Sequence, residues 1–195
     1  GDYDVDGICA TALLTRWLRS IGGDVVPFVP HRVRDGYDFS ASGLAAAIMA
    51  DARLIITADC GTVAHETVAR ANEAGLEVIV TDHHTVSETL PDALAVVNPQ
   101  RPDCPYPEKG LCGTGLVFRV AELIAIQLGV DAKSLFGLLD LVALATVADL
   151  VPLDGENRVL VHSGLKTFRK TEVAGIRALL KVAKVEVDQI NAGHL

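Results

Sequence analysis

The sequence predicts an α/β protein with a mostly parallel sheet flanked by helices, followed by connecting helices, and three observations carry that expectation. Short apolar runs alternate with helix-length stretches along the first hundred residues. The runs Leu54–Ala58 and Glu77–Thr81 are nearly continuous in apolar residues, as strands buried on both faces are. Each run ends in acid or imidazole, Asp59 after the first and Asp82-His83-His84 after the second. Ligand sites of open parallel sheets lie at the carboxyl ends of the strands, so the pattern points to a site as well as a fold.

The elements follow in order. Ile8 through Leu18 reads as a helix with a broad apolar face, closed by Gly22-Gly23. Val25–Pro30 reads as a short strand, and an Ala-rich helix covers Leu44 to Asp51. The strand Leu54–Ala58, a helix from Val63 to Ala74, a turn at Gly75 and the strand Glu77–Thr81 complete a β/α/β unit. A further strand, Ala93–Val97, enters the proline-rich loop Asn98–Pro107. Helices are expected over Leu116–Leu128 and, as one piece, Ser134–Ala148, with Asp149 closing the latter.

Bulk properties narrow the function. A chain of 195 residues, half of them hydrophobic, buries a sizeable core. Its net charge of −8 argues against broad electrostatic adhesion to nucleic acid or anionic membranes. Divalent cations held by some of those acids would reverse the local sign and create an anion receiver. Cys9, Cys60, Cys104 and Cys112 show no C-x-x-C pairing, so neither a zinc ribbon nor a thioredoxin-like motif is indicated, and reduced thiols in the cytoplasm are expected. The longest apolar stretch, Leu135–Val151, carries Asp140 and Asp149, unlike a membrane span.

The candidate chemistry begins at the first residues. Gly1-Asp2-Tyr3-Asp4-Val5-Asp6-Gly7 sets three carboxylates at alternate positions before a helical pattern. In extended chain such side chains share a face, and three like charges repel unless cations hold them. Oxygen-rich sites suit magnesium or manganese; the competing reading is a strand-to-helix turn with capping aspartates. Asp59, in Thr57-Ala58-Asp59-Cys60-Gly61-Thr62, is open to the same two readings. Asp82-His83-His84 would supply a metal ligand, a phosphate-facing group and a charge to orient them, or else a turn with surface histidines.

Taken together these segments resemble the DHH phosphoesterase family, and within it the RecJ-type branch of single-strand-specific exonucleases. Asp2–Gly7 is similar to the first motif of the family, Thr57–Gly61 to the second, Thr81–His84 to the third and Ala145–Leu153 to the fourth. Phe28–Arg32 with Gly36-Tyr37, and Cys104–Pro107 with Cys112–Gly115, resemble segments of the RecJ branch. The resemblance implies a Rossmann-like DHH catalytic domain over residues 1–153, its first strand truncated, and a helical extension over 154–195 leading to a DHHA1 domain that lies outside this chain. It implies two Mn2+ or Mg2+ ions, with Asp4, Asp6, Asp59, His83 and Asp149 as metal ligands and Asp59 bridging. His84 would face the scissile phosphate, Asp82 would support the histidines, and Asp2 would stand behind the ligands. His31, Arg32, Arg34 and Tyr37 would contact the DNA strand, which fits the forked grip of Arg on phosphate.

The implied activity is metal-dependent 5′→3′ hydrolysis of single-stranded DNA in repair and recombination, by in-line attack of a metal-bound hydroxide. A single-strand-binding protein and a helicase are the partners the resemblance implies. A phosphodiesterase for oligoribonucleotides or cyclic dinucleotides, and a non-catalytic DNA-binding subunit, are the alternatives. Gln189–Leu195 resembles the family segment that leads to the second domain, but is shorter and has His194 where Arg is usual.

Overall fold

The computed structural model describes residues 1–195. Its centre is a three-stranded parallel sheet in the order β1 (Leu54–Ile56), β2 (Glu77–Thr81), β3 (Ala95–Val97). Backbone bonds carry the pairing beyond the regular strands: Asp59 N donates to Thr81 O at 2.9 Å and Asp82 N to Val97 O at 3.1 Å. On the outer side of β1, Asp2 N donates to Ala58 O at 3.2 Å. Asp2, Asp59 and Asp82 therefore sit side by side at the carboxyl edge of the sheet.

Val25–Pro30 does not form the expected strand. Pro27 and Pro30 have no N–H to donate, so the segment cannot sustain a ladder. It stays irregular and makes one bond to this edge, Gly1 N to Phe28 O at 2.9 Å.

Helices cover both faces. On one side α2 (Ala41–Met49) and α3 (His65–Glu73) bury Leu44, Val68 and Ala71 against Val78, Val80 and Val96 of the sheet. On the other, α1 (Val5–Ser20), α4 (Gly113–Leu128) and α6 (Leu139–Ala148) enclose the larger core around Trp17, Leu13, Phe118 and Val142. Each fully buried side chain of this size contributes roughly 1.5–3 kcal/mol relative to exposure, so this cluster dominates the stability of the fold.

The helix expected over Ser134–Ala148 is two helices, α5 (Lys133–Phe136) and α6. Gly137, a weak helix former, sits at the break, where Leu138 N turns back to Leu135 O at 2.9 Å. Beyond Asp149 the chain reverses into α7 (Gly155–Phe168), then α8 (Ala174–Ala183). Leu160, Phe168, Ile176 and Ile190 from this stretch enter the same core as Trp17.

Two long-range contacts align the helices with the sheet edge. The Asp6 carboxylate accepts hydrogen bonds from Gly113 N at 2.6 Å and Thr114 N at 2.7 Å, the first amides of α4. An anion at a helix N-terminus satisfies orphan donors and complements the helix dipole, and bonds to a charged group contribute roughly 1.5–3 kcal/mol each. α4 accordingly begins three residues earlier than the apolar pattern predicts. The second contact is the crossing of α6 and α7, where Gly164 has no room for a side chain: an added Cβ would collide with Leu139 O and lie 2.5 Å from Ala143 Cβ.

That crossing makes a prediction with two opposing terms. Gly164→Ala gains up to about 1 kcal/mol of helix propensity but incurs roughly 1–3 kcal/mol of overpacking against backbone. Urea denaturation should show net destabilisation, whereas a stabilised variant would show that the two helices separate freely.

Candidate metal centre

Asp59 follows β1 directly and is held in a left-handed conformation, with φ of 63°. Such a backbone costs an L-residue roughly 1–2 kcal/mol, less for Asp, and turns the carboxylate across the sheet edge rather than along it. The start of α4 presses against it, and an added Cβ at Gly113 would lie 2.6 Å from Asp59 Cβ. Asp59 is 1% exposed, and neither of its oxygens has a hydrogen-bond partner.

His83, just beyond β2, faces it, with Nε2 3.1 Å from Asp59 Oδ1. The same nitrogen lies 3.6 Å from Asp6 Oδ2 and 3.7 Å from Asp149 Oδ2, yet makes no hydrogen bond. Asp149 arrives at the end of α6, Asp6 in the first turn of α1, and Asp4 as the N-cap of α1, where its Oδ1 accepts from Gly7 N at 2.9 Å. These side chains fall into three groups whose donor atoms converge within 4.8 Å: Asp2, Asp4 and Asp59; Asp59, His83 and His84; Asp6, His83 and Asp149. Asp59 and His83 each belong to two of them.

The electrostatics follow from this crowding. Burial pushes the Asp59 carboxyl from its ordinary 3.8 to about 7, the contact with His83 offsetting only part of the penalty. Asp149 is raised, by burial and then by Asp6, and Asp2 is raised by burial above all. Burial works against a charged His83, but Asp59, Asp6 and Asp149 outweigh it and raise its pKa. Buried carboxylates of one sign with unpaired oxygens, beside an unpaired imidazole, form a donor set that a hard divalent cation satisfies.

Asp82 behaves differently. Its oxygens accept from Thr62 N at 2.9 Å, His83 N at 2.8 Å and His84 N at 3.2 Å, and Oδ1 lies 2.7 Å from His84 Nδ1. Burial opposes ionisation here too, but the bonds from His84 and Thr62 outweigh it and hold the carboxyl at about 2. The ionised Asp82 only accepts, so Nδ1 of His84 carries a proton, and this bond raises the His84 pKa to about 9. The other ring nitrogen lies 3.2 Å from the Tyr37 hydroxyl.

The four residues expected on the substrate side divide. Tyr37 stands over His84, and Arg32 stacks on Tyr3 with its guanidinium 5.3 Å from the ring centroid. Tyr3 in turn meets Tyr37 edge to face at 6.2 Å. His31 and Arg34 are tied to their own turn: Asp35 accepts from His31 N and from the Arg34 side chain, and His31 Nδ1 accepts from Val33 N and Arg34 N.

Several contributors escaped the sequence reading. Asn98 donates to Thr62 Oγ1 and to His84 O, both at 2.9 Å, clamping the histidine loop from the end of β3. Its place directly after an apolar run was the available signal. Asp38 accepts from Gly61 N at 2.6 Å and steadies the turn after Asp59, with no local pattern to betray it. Cys60, beside Asp59, is buried and its thiol is pushed up to about 12 by desolvation, which suits packing rather than nucleophilic attack.

Comparison with known proteins places the chain in a family. The single-stranded-DNA-specific exonuclease RecJ of Dickeya dadantii is 43% identical over 206 residues, covering all of this chain and 36% of the relative; that of Bacillus subtilis is 37% identical, covering 98% and 24%. The chain thus spans about a third or less of the length of these curated relatives. The crystal structure of exonuclease RecJ bound to manganese superposes with a TM-score of 0.86 at 37% identity, over 99% of this chain and 48% of that one. RecJ of Thermus thermophilus in complex with Mn2+ gives 0.79 at 36% identity, over 96% and 26%. The model of the DHH family N-terminal domain matches residues 1–146, the stretch that carries every group described above except Asp149, and the chain belongs to the DHH family.

Proposed function

We propose that this chain is the catalytic domain of a RecJ-type exonuclease, hydrolysing phosphodiester bonds of single-stranded DNA from the 5′ end with two Mn2+ or Mg2+ ions. The observation that carries the reading is the convergence of three donor groups on Asp59 and His83, whose inward atoms have no protein partner. Similarity to RecJ enzymes, two of them solved with manganese, supports the metal and the substrate class.

The residues take these roles. Asp4 and Asp59 would hold one cation, with Asp2 behind them as support, and Asp6, His83 and Asp149 the other, with Asp59 between them. When bound, such a pair supplies a hydroxide nucleophile at neutral pH and polarises the phosphate. His84, protonated through its bond to Asp82, presents its second N–H to a phosphate oxygen. The Tyr37 hydroxyl, 3.2 Å from that nitrogen, lies on the same side as the expected phosphate, and Tyr3 and Arg32 extend the surface outward. No side chain is required to form a covalent intermediate.

Residues 1–153 would form the catalytic unit and 154–195 the extension that leads to a second, DHHA1-type domain of a longer polypeptide. Action in DNA repair and recombination, beside a single-strand-binding protein and a helicase, belongs to the same proposal and rests on the resemblance. A cytoplasmic location is supported by four free cysteines, while the structure itself has no helix long and apolar enough to cross a membrane.

Two outcomes test the reading. A polypeptide of the relatives' length containing this domain should release mononucleotides from the 5′ end of single-stranded DNA with Mn2+. Asp59→Asn, which keeps a side chain tolerant of the left-handed backbone, should lower the rate at least about 100-fold with the fold intact. Retained turnover, or cleavage of a cyclic dinucleotide in place of DNA, would refute it.

The second outcome is a pH dependence. A carboxyl raised from 3.8 to about 7 favours the folded state at low pH, and that contribution is lost as pH rises through about 7. A cation that neutralises Asp59 restores it, and deprotonated His83 and Asp149 bind better. The Mn2+-induced rise in melting temperature should therefore be larger at pH 8 than at pH 5; an equal or smaller rise would remove Asp59 from the ligand set.

A further inference from the structure

The acidic character of the chain is not uniform. From Lys166 to Lys184 there are six Lys and Arg and a single acid, Glu172, in a protein whose net charge is −8. The turn between α7 and α8 folds this stretch into a groove of about 710 Å3, lined among others by Arg169, Lys170, Arg177, Lys181 and Lys184. All five are exposed. The acids of the lining, Glu172 and Glu186, form no ion pair with them. The Arg and Lys ion pairs of the molecule involve Arg34, Arg101, Arg119 and Lys133, all outside the groove. Both helices end at the groove, and their dipoles favour a cation or two at each terminus. That effect does not account for five unpaired cations facing one cleft.

The arrangement on α8 is regular. Arg177 and Lys181 stand at positions i and i+4 on one face of the helix, and Lys184, the left-handed residue that caps it, joins them in the lining. The exposed apolar side chains of this helix, Leu179 and Val182, point to the opposite side. An amphipathic peptide would need the apolar and basic groups together, whereas a phosphate backbone needs only the row of cations. No aromatic ring lines the groove, so it offers charge without base stacking.

Its position relates it to the metal centre. Thr171, part of the lining, donates from Oγ1 to Asp140 Oδ2 at 2.5 Å, at the start of α6. Asp149 closes the other end of the same helix, roughly 14 Å away along its axis.

We propose that this groove is a second, sequence-independent binding site for the sugar-phosphate backbone of single-stranded nucleic acid, gripping the strand at a distance from the bond being cut. It rests on the nuclease reading, and its chemistry is that of a phosphodiester polyanion. A strand of only two or three nucleotides occupies the metal centre alone, while a longer one also neutralises the groove.

The test compares the triple variant Arg177→Gln, Lys181→Gln, Lys184→Gln with a charge-matched control, Arg16→Gln, Arg70→Gln, Lys133→Gln, in metal-free protein. Binding of fluorescent oligo-dT of about 20 nucleotides, long enough to exceed a single-strand site of this kind, is followed across salt concentrations, with melting temperature as the folding check. The groove variant should bind at least about tenfold more weakly at low salt, and its slope of log K against log salt should be shallower by about 2, from the loss of three phosphate contacts. The control should change neither. Equal losses in both variants, or no loss in the groove variant, would overturn the proposal. So would a poly-glutamate peptide displacing the oligonucleotide from the wild-type groove while leaving the groove variant unaffected, since that assigns the site to an acidic protein. Hydrolysis of the trinucleotide pdT3 with Mn2+ should be the same in all three proteins. Its absence from the wild type would count against the nuclease reading without altering the oligonucleotide result.

Discussion

The arrangement of this molecule turns on one unfavourable contact: carboxylates of like charge forced together in a nearly dry pocket. Asp2, Asp6 and Asp59 are each at most 2% exposed, and the last has no hydrogen-bond donor. Burial of an unpaired carboxylate is penalised heavily, and the protein meets the penalty in different ways. Asp6 is compensated by the N-terminus of α4, Asp82 by three backbone amides and a histidine, and Asp59 only by the approach of His83. What remains uncompensated is therefore concentrated at Asp59, with one buried oxygen of Asp2 also left unpaired.

The fold exists in the form needed to sustain that contact. Parallel pairing brings the ends of β1 and β2 level, which sets Asp59 beside Asp82 and hence beside the two histidines. The α4 N-terminus closes over them because Gly113 lets its backbone approach the Asp59 side chain, and the α6 crossing with α7 at Gly164 fixes where Asp149 arrives. Stability supplied by the core around Trp17 and Phe118 carries the strain of the left-handed Asp59 and the repulsion it generates. A cation would then enter a site already assembled, with little reorganisation left to oppose it.

Much of this was legible in the residues. Strands β1 and β2 announce themselves as apolar runs, and their terminal acids and histidines follow from the rule that parallel sheets present ligands at strand ends. Four spaced segments then resemble those of the DHH family, whose model matches residues 1–146. What the sequence could not display are contacts between elements far apart in the chain: Asp6 with Gly113 and Thr114, Tyr37 with His84, and Arg32 with Tyr3. The Val25–Pro30 segment misleads because its apolar residues favour a strand while its two prolines withhold the donors that a strand needs. Gly137 similarly interrupts a helix whose hydrophobic period runs on unbroken.

The account stands on the claim that Asp59 is shared between two cation sites. Isothermal titration of metal-free protein with Mn2+ at pH 8 measures that directly. Two bound ions per chain is the predicted result. A single ion, or none, would contradict it.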